Sequence, residues 1–177
     1  MMKSVLLSIK PKYCELIADG RKTIEVRKTK PKIMVPFKCY IYCTSVKNMP
    51  LTEYVDIHRK TGGRIDEWSG KIIGEFVCDK MLPIAILAHL MVSTLDCMRA
   101  CLSAEEIIEY AAGNSYVYGW RISELEIYDK PKELSGFRQC HKCERYFHCK
   151  AGEYSCDGTY KLTRSPQSWC YVEEGAR

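Results

Sequence analysis

The stretch SVLLSIKPKYCELIADGRKTIEVR, residues 4–27, constrains the fold more than any other part of the chain. Residues 5–9 carry Val5, Leu6, Leu7 and Ile9 in a run of strand length. Lys10-Pro11 then opens a helix, because a proline in the first turn gives up an N–H that would have no partner there. Tyr13, Leu16 and Ile17 form an apolar stripe at helical spacing, and Gly20 falls where a left-handed C-terminal cap is wanted. After the glycine, Ile24 and Val26 alternate with Thr23, Glu25 and Arg27, so a second strand has one apolar face and one polar face. The local order is strand, helix, glycine stop, strand.

Further strands are expected at residues 37–43 (FKCYIYC), 71–77 (KIIGEFV), 117–128 (VYGWRISELEIY, with a bulge at Gly119) and 167–172 (QSWCYV). Ser103 followed by Glu106 is a capping box that starts a helix ending at Gly113-Asn114. Residues 83–101 also read as helix, with apolar residues too dense to fix a face. The polar connection around Thr61-Gly62-Gly63 reads as a loop, in which Trp68 is either a lid or a packed anchor. Short strands without regular βα alternation predict a small α+β barrel with flanking helices rather than a doubly wound parallel sheet. A length of 177 residues suits one domain, residues 1–177, with residues 136–160 as an insert.

The net charge of +5 is unevenly placed. Residues 1–38 hold ten Lys/Arg against three acids, a local charge of +7, which leaves −2 for the rest. A basic N-terminal fifth suits an anionic partner, and it equally suits a solvated lysine-rich face. The start lacks a signal-peptide core, and the apolar run at residues 81–92 is too short to span a bilayer. A cytoplasmic protein without membrane association is expected.

Eleven cysteines in such a compartment point to metal more than to disulfides. Cys140, Cys143, Cys149 and Cys156 fall within 17 residues and begin with a Cys-x2-Cys turn, a set able to hold structural Zn2+ through four thiolates. His141 or His148 is an alternative ligand. Metal binding would order a segment poor in aliphatic side chains. Cys14, Cys39, Cys43, Cys78, Cys97, Cys101 and Cys170 are expected as small buried side chains.

The run Gly20, Lys22, Glu25, Arg27, in its strand–helix–glycine–strand setting, resembles the glycine-x-lysine-x-x-glutamate-x-arginine marker of the ASCH family, a branch of the PUA-like β-barrels. The likeness extends to IIGEFVCDK and to Tyr118-Gly119-Trp120, and it leaves the cysteine-rich insert outside. It implies a PUA-like barrel that binds RNA or a modified nucleotide in a cleft beside Lys22, Glu25 and Arg27. Of the strand aromatics Trp120 is expected to face that cleft, and the segment returning to the last strand is expected to bring Arg164 and Ser165 to its rim. A cationic Lys22 suits phosphate or a base carbonyl, Glu25 suits a base amino group, and Arg27 holds Glu25. The competing reading is an exposed ion pair contributing about 0–1 kcal/mol.

Some relatives of this barrel are amidohydrolases that remove an N4-acetyl group from cytidine with a lysine and a threonine. Here Lys22 matches the lysine and Glu25 takes the threonine's place, so catalysis through Lys22 and Glu25, with Glu75 as a possible second carboxylate, is the alternative function. A third reading is a zinc-stabilised protein-interaction module using the insert and residues 81–92.

Overall fold

The structure is a computed structural model and describes residues 4–87, 91–140 and 159–174. Its elements are β1 (Ser4–Ile9), α1 (Pro11–Ala18), β2 (Ile24–Arg27), β3 (Phe37–Cys43), α2 (Leu51–Lys60), α3 (Arg64–Trp68) and β4 (Ile72–Ala85) in the first half. The second half adds α4 (Thr94–Ala100), α5 (Ala104–Ala111), β5 (Tyr116–Lys132), a 3-10 turn at Leu134–Gly136, β6 (Phe137–Cys140), β7 (Thr159–Lys161) and β8 (Trp169–Glu174). Eight strands form one mixed sheet in the order β2-β5-β4-β3-β1-β8-β6-β7. Among the described residues only β1 and β3 pair in parallel, at Val5 with Cys39 through Ile9 with Cys43.

The α+β class is as expected, but the barrel is not closed among the described residues. β2 pairs with β5 alone and β7 with β6 alone, which leaves both as edges. The reason lies in the connection through α1: it carries the chain from β1, an interior strand, out to β2 at the edge. The space between those two strands is bridged by a side chain instead of a backbone ladder. The Arg27 guanidinium donates to the Ser8 carbonyl at 2.7 Å through Nη2 and to the Ser168 carbonyl at 3.3 Å through Nη1.

Both faces of the sheet are covered. Val5, Leu7 and Ile9 of β1 join Ile17, Cys39, Ile41, Phe76 and Trp120 in the main core, while Leu6 packs the other way with Tyr40, Ile72, Phe137 and Val172. A continuous apolar run is what a strand buried on two faces requires. A third cluster, with Ile24, Val26, Ile84, Ala100, Ile107 and Val117, fastens α4 and α5 to β2 and to the far ends of β4 and β5.

Three local expectations change. Residues 83–85 are strand, because β4 continues and pairs Pro83 with Tyr118 and Ile84 with Val117; β-branched side chains and a ready partner outweigh the apolar density that suggested helix. Among the described residues of that stretch, helix begins at α4. The β4–β5 irregularities fall between Ile72 and Gly74, Glu75 and Val77, and Cys78 and Met81, so Gly119 is not bulged. Its missing side chain instead admits close neighbours, since a Cβ there would meet Ile84 Cδ1 at 3.1 Å and Ile24 Cδ1 at 3.2 Å. The connection around Thr61 is helical on both sides, and Trp68 is a packed anchor, 2% exposed with the Arg64 guanidinium over its ring.

Cys14, Cys39, Cys43, Cys78 and Cys170 are buried as expected, whereas Cys97 and Cys101 are half-exposed. Burial pushes the Cys14 and Cys39 thiols well up, the neighbouring Cys43 adding to the effect at Cys14, so neither is a ready nucleophile. Cys143, Cys149 and Cys156, with His141 and His148, lie outside the described residues, as does the side chain of Cys140. Among the described residues no helix is long and apolar enough to cross a membrane, and no three His, Cys, Asp or Glu side chains gather as metal ligands.

Candidate functional site

Gly20, at φ +74°, ends α1 and turns the chain so that Lys22 precedes β2. The backbone on either side is pinned: Lys22 N–H donates to the Leu16 carbonyl and Thr23 N–H to the Arg99 carbonyl, both at 2.9 Å. Lys22 then points inward and is 2% exposed. Its ammonium donates to the carbonyl of Ala100, the last residue of α4, at 2.6 Å. That carbonyl has no partner within the helix, and a cation at a helix C-terminus also suits the helix dipole. The same ammonium lies 3.4 Å from Glu25 Oε2 and 5.0 Å from the centre of the Tyr13 ring.

Glu25 is 6% exposed and sits between two cations, with Oε1 3.0 Å from Arg27 Nη2. Arg27 Nη1 also approaches the Ser168 hydroxyl at 3.2 Å. Strand alternation placed Glu25 and Arg27 on one face; that face is buried, so the competing reading of an exposed ion pair gives way to a buried Lys22–Glu25–Arg27 triad. Two of its polar atoms, Glu25 Oε2 and Arg27 Nε, are buried without a hydrogen-bond partner among the described residues.

All three triad residues line a cleft of about 990 Å³. α1 and the turn before it contribute Tyr13 and Lys10, α5 contributes Glu106, Glu109 and Tyr110, and residues 166–168 form a further side. The capping box that starts α5 is complete: Ser103 N–H donates to Glu106 Oε2 at 2.8 Å and Glu106 N–H to Ser103 Oγ at 3.1 Å. Glu106 Oε1 also meets Lys12 at 3.4 Å, which links α5 to α1. Lys28, on the rim, lies 5.2 Å from the centre of the Tyr110 ring.

The cleft mixes charges, with Lys10, Lys22, Arg27 and Lys28 facing Glu25, Glu106 and Glu109. It is not a simple anion hole. Tyr13 is pushed up to about 12, first by burial and then by the charges of Glu106 and Glu25, so it offers a hydroxyl donor across the physiological range.

The structure brings Lys22, Glu25 and Arg27 together and does not bring Trp120 to them. Trp120 is fully buried in the main core, its ring edge-on to Phe37 at 5.7 Å and tilted against Trp169 at 5.9 Å. A strand aromatic is core by default, and nothing in its spacing distinguished it. Arg164 and Ser165 line a separate neighbouring cavity. Glu75 lies away from the cleft, held by Lys38 and Tyr128. Thr23, nearest to the position of an amidohydrolase threonine, is exposed and does not line the cleft. Sequence reasoning missed Tyr13, Tyr110, Ser8 and Ser168 as cleft residues. For Tyr13 a signal existed, since it lies on the helix leading into the marker; for the others the partners are remote in sequence.

Residues 7–59 match the family model of the ASCH domain. The fold is similar to the crystal structure of ASCH from Zymomonas mobilis, with a TM-score of 0.52 at 17% identity, covering 75% of this chain and 74% of that one. A tyrosine-to-phenylalanine variant of the Zymomonas protein gives 0.51 at 16% identity over 75% and 76% of the two chains, and a serine-to-alanine variant 0.51 at 17% over 75% of each. No curated protein matches the chain. The resemblance to the ASCH family read from residues 20–27 is borne out.

Proposed function

We propose that this chain binds RNA or a modified nucleotide, with the base entering the cleft beside Glu25 and Arg27. The observation that carries the reading is a pair of buried atoms with no hydrogen-bond partner among the described residues, one of which, Glu25 Oε2, has only the Lys22 ammonium at 3.4 Å. Glu25 Oε2 is an acceptor and Arg27 Nε a donor, both on residues that line the cleft. Buried polar groups are normally satisfied, so a missing partner at a cleft is a place for a ligand's own groups. A base edge presents donor and acceptor side by side, which a bare phosphate does not. Tyr13 and Tyr110 supply aromatic surface in the same cleft, and a base stacked on such a ring typically gains about 1–3 kcal/mol.

The division of labour differs from the one read off the sequence. Lys22 is occupied by Ala100, Glu25 and Tyr13, so it orients the carboxylate, and phosphate contact falls to the exposed Lys10 and Lys28. Nucleotide titration by calorimetry tests this. Binding of cytidine, adenosine or guanosine monophosphates is expected to weaken at least about tenfold in Glu25→Gln, equivalent to about 1.4 kcal/mol. It should weaken more modestly, and mainly at low salt, in Lys10→Ala/Lys28→Ala. No binding of any mononucleotide or RNA by the folded protein would overturn the proposal.

The same proposal assigns structural Zn2+ to Cys140, Cys143, Cys149 and Cys156, on the strength of their spacing. Metal analysis is expected to return about one equivalent per chain, falling to zero when Cys143 and Cys149 are changed to serine.

A further inference from the structure

A second cavity, of about 1130 Å³, adjoins the first, and Pro166 and Gln167 line both. Its remaining wall comes from β6, β7 and the residues leading into β8, including Lys161, Thr163, Arg164, Ser165 and Trp169. Lys161 and Arg164 are exposed cations, and among the described residues that line this cavity none is acidic. That contrasts with the mixed-charge first cleft. The two are also tied by a side chain: Trp169 lines the second cavity and its indole N–H donates to the Thr29 hydroxyl, in the wall of the first, at 3.0 Å.

We infer that the two cavities form one track for a single-stranded polynucleotide: one base occupies the triad cleft and the adjoining nucleotide lays its phosphate against Lys161 and Arg164. A basic groove with an aromatic ring in its wall is the arrangement that follows a sugar-phosphate backbone without reading sequence. A free nucleoside or mononucleotide would use only the first cleft. The inference rests on the nucleotide reading of that cleft, and it adds the length of the ligand and the second pair of cations.

Binding of fluorescent adenylate RNAs of one, two, four and eight nucleotides to the full chain, followed by anisotropy, tests it. The four-nucleotide ligand is expected to bind at least about tenfold more tightly than the mononucleotide. In Lys161→Ala/Arg164→Ala, changed at exposed positions, mononucleotide affinity should be unchanged and the gain with length lost. The slope of log K against log salt for the longer RNA should shrink by about 0.7, the share of one neutralised phosphate. Mononucleotide binding with no gain in length, or a gain that survives the double substitution, overturns the track and leaves the first cleft standing. Absence of all binding overturns both.

Discussion

Glu25 and Glu75 are both strand glutamates flanked by cations, and they belong to different kinds of site. Glu25 is locked between Lys22 and Arg27 with side-chain exposures of 1% and 8%. Glu75 meets a Lys38 that is 43% exposed, and it also accepts from Tyr128. Similar residue types thus give a desolvated triad beside a cleft in one place and a partly exposed cross-strand pair in the other. Water makes the difference: a buried ion is stabilised only by the partners the fold supplies, while an exposed one can always fall back on solvent.

The largest contrast should come from removing the carboxylates. Glu25→Ala leaves two buried cations without their anion and is expected to cost about 3–5 kcal/mol, against less than about 1 kcal/mol for Glu75→Ala. In a thermal melt the first is a drop of about 10 °C for a chain of this size and the second about 2 °C. Equal melting temperatures would erase the distinction. Next in size, Lys22→Met removes the partner of both Glu25 and the Ala100 carbonyl and should cost about 2–3 kcal/mol. A double-mutant cycle with Glu25→Gln should return a coupling of about 1–3 kcal/mol, and additivity would show that Lys22 serves α4 alone.

Two pH dependences sharpen the contrast further. Tyr13 beside the triad has its pKa raised from 10.0 to about 12, so the folded chain keeps that proton longer than the unfolded one. Stability from this group is complete below pH 10.0 and falls as pH rises towards 12; absorbance titration should place Tyr13 above the exposed tyrosines. At Glu75 burial acts to raise the pKa, but the hydrogen bonds from Lys38 and Tyr128 outweigh it and the net direction is down. Its contribution is therefore present above its ordinary 4.5 and lost as pH falls through the lowered value, and this acid-side loss should vanish in Glu75→Ala.

Much of this was legible in the chain, and the parts that were share a cause. The β1–α1–β2 order, the Gly20 stop and the Ser103–Glu106 capping box are written in signals a few residues long, and each is present as read. Alternation also put Glu25 and Arg27 on one face. It could not say that this face is buried, because the burial comes from Ala100 and from Ser168 rather than from neighbours in the strand. The reading of residues 83–85 as helix failed for a related reason: apolar density does not distinguish a helix from a strand whose partner lies in β5. Trp120 shows the converse, a residue whose type suited a cleft and whose position is the centre of the core.

By itself the sequence determined which elements form around the marker and which side chains share a face, since these follow from backbone geometry over one or two turns. Only the tertiary structure decided where the polar atoms end. The Lys22–Ala100 bond spans 78 residues and the Arg27–Ser168 bonds span 141, so the triad exists only once the chain has folded back on itself. The same folding leaves β1 and β2 apart, bridged by one guanidinium, and opens the cleft where a closed ladder was expected.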